Sequence, residues 1–462
     1  MVFSSLIFLF LYLPVVLLIY YIFPAKWRNL WLFIVNLIFY GWGEPVYVFL
    51  MLASIAMNYA AGLAVGKLRE VSQNKSKAAL AACIVLNIAL LGFFKYYDLF
   101  AETLSLLPGV SIAPLGLALP IGISFYTFQC MSYPIDVYRG DARPQRNFIS
   151  FGTYVALFPQ LIAGPIVRYK DIDNQLRSRI CDVEKFSSGV RRFVIGLGKK
   201  VLIANNIGLL WDIYSASPAP TTLGAWLGIS AFTLQIYFDF SGYSDMAIGL
   251  GRMLGFEFAE NFSYPYLSHS VTEFWRRWHI SLGSWFRDYV YIPLGGNRLG
   301  LARQLVNILV VWTLTGFWHG ANWTFLLWGL YYALLLIIEK AFLLRRLERA
   351  PVLGHIYTLL AAVFGWVLFQ LDSLPEAAAY CGAMLGFGSG AACAEDIFYL
   401  RSYAVTFIVA IAAATPLGSR IFAKLPPRVK SAAAPVLTAL VLLLSTAYFV
   451  DATYNPFLYF RF

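Results

Sequence analysis

The chain has 462 residues, of which 60% are hydrophobic, 17% aromatic and only 13% charged, with a formal net charge of +11. A soluble domain carries about 25% charged residues, because charge must cover its outside, and a disordered chain is poor in aromatics. What remains is an all-α polytopic membrane protein, since apolar runs approach 20 residues, unlike the alternating strands of roughly 10 residues in a membrane barrel.

Twelve candidate spans follow in chain order: 4–23, 29–43, 46–65, 78–97, 118–138, 187–210, 224–241, 304–320, 321–343, 355–371, 400–416 and 432–450. Residues 1–462 therefore read as one integral membrane domain, a bundle of about 11–12 transmembrane helices. The first span has no basic residue before its apolar run and reads as uncleaved. Three further stretches, 148–167, 242–256 and 272–294, carry polar or Gly/Pro-broken sequence at membrane depth and read as re-entrant or interfacial pieces. Irregular backbone survives there only where protein or a water-filled cavity surrounds it.

Lys and Arg gather in blocks at 26–28, 67–77, 139–146, 168–200, 252, 276–303, 340–349 and 420–430, which hold 32 of the 35. Positive charge marks the cytoplasmic face, so both termini are expected outside. The segment 148–167 must return to its own side, because both flanking loops are basic. The basic surplus is thus topological; nucleic-acid binding would need a soluble basic domain, and none is read. The five cysteines, Cys83, Cys130, Cys181, Cys381 and Cys393, form no C-x-x-C pair. Neither a disulfide framework nor a metal site is expected.

Four histidines remain for chemistry. His319 lies in GFWHGANW (316–323), where an ionisable group at membrane depth points to function, as a general base near neutral pH. The plain alternative is helix glue, a ring bonded to a backbone carbonyl. His279 lies in TEFWRRWHISLGSWFRDYVYIPLGGNR (272–298). Read as one helix, Phe274, Trp278, Leu282 and Trp285 share a stripe, and Trp275, Arg276, His279 and Gly283 lie together at i+3 or i+4 spacing. This is either an interfacial amphipathic helix or one that lends Arg and His to an anionic donor. His269 and His355 read as structural.

IYFDFSGYSDMAIGLG (236–251) places Asp239 and Asp245 at membrane depth among Tyr237, Ser241, Tyr243 and Ser244. It reads as the wall of a polar tunnel or as a network pinning a broken helix. LPIGISFYTFQCMSYPIDVYRG (119–140) and LFPQLIAGPIVRYKD (157–171) read as kinked packing segments. No G-x-S-x-G, P-loop or H-E-x-x-H pattern occurs, and no His is followed five residues later by Asp. Direct His-based transfer, or transport, remains.

These blocks, with LGGNR and FWHGAN, resemble the membrane-bound O-acyltransferase family, and most of all its bacterial branch that O-acetylates polysaccharides such as alginate. The opening MVFSS, FFKYYD at 93–98 and the closing NPFLYFRF share the resemblance; at Gln160 some relatives carry His. The resemblance implies a helical fold around a tunnel, with the near-invariant family histidine at His319 and a second family position at His279. It implies acyl transfer from a cytoplasmic thioester, acetyl-CoA, used as substrate with no bound cofactor. The acetyl group would pass to a periplasmic SGNH-hydrolase-like partner, which esterifies an exported polysaccharide at a bacterial inner membrane. Within that reading Asn322 or backbone N–H groups hold the oxyanion, and Arg276, Arg277 or Arg287 take a pyrophosphate. Trp318, Asp239, Tyr243 and Asp245 line the donor site or tunnel. The competing readings are D-alanyl transfer to a cell-wall polymer, a transporter without acyl chemistry, and a scaffold whose histidines are structural.

Overall fold

The computed structural model describes residues 3–217 and 219–451, so the first two residues of MVFSS and the whole of NPFLYFRF lie outside the described part. The described residues fold into helices, with no strand among them. Apolar side chains dictate this, because a backbone in lipid must satisfy its own N–H and C=O groups.

All twelve expected spans are helical. Among the described residues seven helices are long and apolar enough to cross a membrane, and the bent pair Ala394–Ser402 and Ala404–Ala413 makes an eighth if taken as one span. The remaining expected spans appear as Phe8–Ile22, which is apolar but shorter, and as Ala25–Gly43, Ile123–Arg139 and Thr222–Met253.

Packing divides the chain into two compact units, one holding residues up to Phe193 with Met246–Ala259, the other Val194–Asp245 with residues from Glu260 onward. In the first, Tyr47–Val71 and Gln73–Leu104 are tied by a reciprocal amide pair, Asn58 Nδ2 to Asn87 Oδ1 at 3.0 Å and Asn87 Nδ2 to Asn58 Oδ1 at 2.9 Å. The stretch 148–167 is indeed broken, into Phe148–Ala156, Phe158–Leu161 and a buried non-helical run. Its freed backbone finds partners: Phe158 N donates to Asn36 Oδ1 at 3.1 Å.

The second unit carries both sequence-selected histidines. Its parts are α1 (Thr222–Met253, in this unit as far as Asp245), α2 (Val271–Arg277), α3 (Ile280–Phe286), α4 (Leu301–His319), α5 (Trp323–Ile338) and α6 (Pro351–Gln370). The span at 224–241 and the re-entrant piece at 242–256 are one helix, α1, and its polar residues are buried in protein rather than marking a break. The single helix read across 272–298 is two, α2 and α3, broken at Trp278 and His279. His279 takes a left-handed backbone, φ 47° and ψ 52°. The expected stripes therefore do not continue across the break.

α4 and α5 approach closely where both carry glycine. A Cβ on Gly316 would stand 2.6 Å from the Phe325 carbonyl oxygen. Small residues are what let helix backbones meet in a membrane. The contact falls one turn before His319, so it fixes the end of α4.

Candidate active site

His279 owes its place to Asn261. A left-handed backbone costs a non-glycine residue roughly 1–2 kcal/mol. The break is held because Ile280 N donates to Asn261 O at 3.0 Å and Ser263 N to Arg277 O at 2.9 Å. The Asn261 side chain adds three contacts at Oδ1: Ser281 N at 3.1 Å, Ser281 Oγ at 2.9 Å and His279 Nδ1 at 3.2 Å. The entry to α2 is fixed from a different side. The buried Glu339 carboxylate accepts Val271 N at 2.6 Å and Thr272 N at 2.8 Å, an anion at a helix N-terminus.

The His279 ring meets Phe240 edge-on at 4.7 Å between centroids and Trp318 at 6.0 Å. It is 2% exposed, and burial pushes its imidazole down to about 3. Desolvation disfavours the imidazolium, so the ring is neutral at pH 7, with one nitrogen able to accept a hydrogen bond.

His319 ends α4, one residue after Trp318. It sits in an aromatic box of Trp318 at 5.0 Å, Trp328 at 4.9 Å and Phe369 at 5.2 Å. Trp318 therefore contacts both histidines.

A cavity of about 780 Å³ lies beside α2, α3, α4 and α5. His279 and Trp275 line it, and so do Arg276, Arg287, Arg298 and Lys340, with no carboxylate among the lining residues. Four cations around a half-open cavity suit a phosphate-bearing ligand. His319 and Trp318 are not among the lining residues.

The other sequence-selected residues sort clearly. Arg276 faces the cavity; Arg287 lines it while paired with Asp288 at 2.7 Å; Arg277 pairs with Glu273 at 2.7 Å and does not line it. Asn322 caps α5: its Oδ1 accepts Thr324 N at 3.1 Å, and its Nδ2 donates to Asp372 O at 2.7 Å. Asp239 pairs with Lys200 at 2.6 Å and Asp245 with Lys199 at 2.7 Å. These two carboxylates and the buried Tyr243 belong to α1 and stand outside the cavity lining. His269 and His355 lie with ring centroids 5.9 Å apart, each Nδ1 beside a backbone carbonyl, that of Pro351 at 3.0 Å and that of Ser268 at 3.2 Å. Sequence reasoning missed Asn261, which lies 18 residues from His279 and belongs to no charged or periodic pattern. It also passed over Lys340 and Arg298, which look like ordinary members of topological basic blocks.

Comparison with known proteins agrees with this architecture. The model of the membrane-bound O-acyltransferase family (MBOAT) matches residues 140–374. The chain is 42% identical, over the full length of both proteins, to the probable alginate O-acetylase AlgI of Pseudomonas putida. It is 45% identical to the protein of the same name from Pseudomonas aeruginosa, over 84% of this chain and 76% of that one. It is 33% identical to the peptidoglycan O-acetyltransferase of Helicobacter pylori, over 85% of this chain and 81% of that one. Half of the chain matches the family model and relatives above 40% identity span it, so this polytopic membrane protein belongs to the membrane-bound O-acyltransferase family and is an O-acyltransferase.

Proposed function

We propose that the chain moves an acetyl group from acetyl-CoA, bound at the cytoplasmic face of a bacterial inner membrane, toward an exported polysaccharide. The observation that carries this reading is the cavity with four cations, no carboxylate and His279 in its wall. Its cations suit the phosphates of the donor, and the neutral imidazole stands where the thioester end would lie.

The acceptor hydroxyl oxygen attacks the thioester carbonyl carbon, the C–S bond breaks, and the thiolate leaves. His319 takes the hydroxyl proton as general base. His319 then returns that proton to the departing sulfur, and His279, neutral in the cavity wall, accepts a hydrogen bond from the donor. Arg276, Arg287 and Lys340 hold the phosphates, and Trp318, between the two rings, shields the reacting centre from water. Asn322 acts by capping α5 behind His319. Asp239 and Asp245 act by pairing with lysine to keep α1 in place, and Tyr243 packs in the same helix. The relatives named as alginate O-acetylases and as a peptidoglycan O-acetyltransferase support a polysaccharide as final acceptor. A periplasmic SGNH-hydrolase-like protein is the expected intermediate partner, and no bound cofactor takes part.

The test is transfer from radiolabelled acetyl-CoA by the protein in nanodiscs, with and without the neighbouring periplasmic esterase-like protein and the glycan. Label on partner or glycan with wild type, and at least ~100-fold less with His319→Ala at equal protein level, supports the reading. Equal labelling by both removes His319 from the chemistry. No label from acetyl-CoA, but label from a charged carrier protein, replaces the donor.

A further inference from the structure

We infer that Asn261 is a positioning residue for the transfer, fixing His279 as the tautomer with hydrogen on Nδ1 and its lone pair on Nε2. This rests on the reading of His279 given above. The assignment follows from which atoms can only donate. The Ser281 backbone N–H points at the Asn261 side chain from 3.1 Å. A backbone N–H cannot accept, so the atom it faces is the amide oxygen. An amide oxygen cannot donate, so the hydrogen between it and His279 Nδ1, 3.2 Å away, belongs to the imidazole. The hydrogen-bond-accepting nitrogen is therefore Nε2, on the ring edge away from Asn261.

The same residue fixes the ring's direction, since the Asn261 carbonyl oxygens, main chain and side chain, hold Ile280 N and Ser281 N beyond the left-handed residue. The Asn261 amide nitrogen is buried with no hydrogen-bond partner, so the contacts at this site run through its oxygen alone. An aspartate would keep those contacts and put its second oxygen where the partnerless amide nitrogen stands. It would add a negative charge beside a cavity whose charged or titratable lining residues are Arg276, Arg287, Arg298, Lys340 and Tyr291, with Arg287 paired to Asp288 at 2.7 Å. The rings packed on His279, Phe240 and Trp318, carry no charge.

The experiment compares Asn261→Ala, Asn261→Asp and His279→Ala in the full-length protein, reading kcat, KM for acetyl-CoA and the pH–rate profile at matched protein level. Asn261→Ala is expected to lower kcat at least ~10-fold with KM within about twofold, because half or more of the rings then hold the wrong tautomer. Asn261→Asp is expected to restore kcat near neutral pH and to move the acid limb of the profile up by about one pH unit. Asn261→Ala with wild-type kcat overturns the inference. So does Asn261→Asp failing as completely as Asn261→Ala, or keeping the wild-type profile, while His279→Ala is inactive. His279→Ala with full activity overturns the reading of the reaction itself, and the positioning role with it.

Discussion

Trp318 holds its indole 6.0 Å from the His279 imidazole, ring centre to ring centre, at 61° between planes. The same indole touches His319 at 5.0 Å. It therefore packs on both the cavity histidine and the one at the end of α4. In the proposed reaction its loss would let water reach the thioester. Trp318→Ala is expected to raise acetyl-CoA hydrolysis relative to productive transfer by about threefold or more. Thiol release set against labelled product measures the ratio, and an unchanged ratio argues against this role.

Arg276 and Arg277 are neighbours with different duties. Arg276 lines the cavity, and Arg277 is spent on Glu273. Arg276→Ala is expected to raise KM for acetyl-CoA about tenfold, the loss of one charge-assisted phosphate contact, while Arg277→Ala changes it by less than about twofold. A larger effect at Arg277 would place the donor elsewhere.

Acid should weaken the fold through His279. The unfolded imidazole takes its proton below about 6.5, whereas burial holds the folded ring neutral down to about 3. The unfolded state then binds more protons between those values. The stability contributed by the neutral ring is complete above pH 6.5 and falls as pH drops, by about 1.4 kcal/mol per unit. Thermal melts of wild type and His279→Gln at pH 7 and pH 5 should show a smaller acid-induced loss in the variant. Parallel losses would mean that the ring protonates freely.

The Asp239–Lys200 pair is 2.6 Å long, with side chains 2% and 3% exposed. Breaking it takes an ion-pair partner from a buried charge, at a cost of about 3–5 kcal/mol. Asp239→Asn and Lys200→Met are each expected to lower thermal stability sharply. The double change to apolar residues of similar size should recover most of it. A double variant as unstable as either single one would give the pair a role beyond charge neutralisation.

Much of this was legible in the sequence, because hydropathy acts locally. Every expected span falls on helix, 400–416 on a bent pair, since lipid leaves an apolar segment no other way to satisfy its backbone. His319 stood out because an imidazole between glycines at membrane depth needs a reason. What escaped is what depends on partners distant along the chain. The break at His279 is invisible in TEFWRRWHISL, whose spacing suits one helix; it exists because Asn261 supplies the carbonyls that hold the kink. The unity of α1 was hidden by its polar residues, which signal a break only while the lysines that neutralise them are out of view. The cations at 298 and 340 look like topological charge, because one sequence does not tell a cavity wall from a loop.

α1 also bears on how the protein is made. An aspartate at the centre of a helix costs about 2.5–3.5 kcal/mol to insert through the translocon. α1 carries two, Asp239 and Asp245. Their partners Lys199 and Lys200 lie in Val183–Ser215, the helix synthesised just before it. The ribosome thus delivers the counter-ions first, and the two helices can leave the translocon together as a neutralised hairpin. Exchanging the order of these helices in the gene would strand the acidic helix during its own insertion.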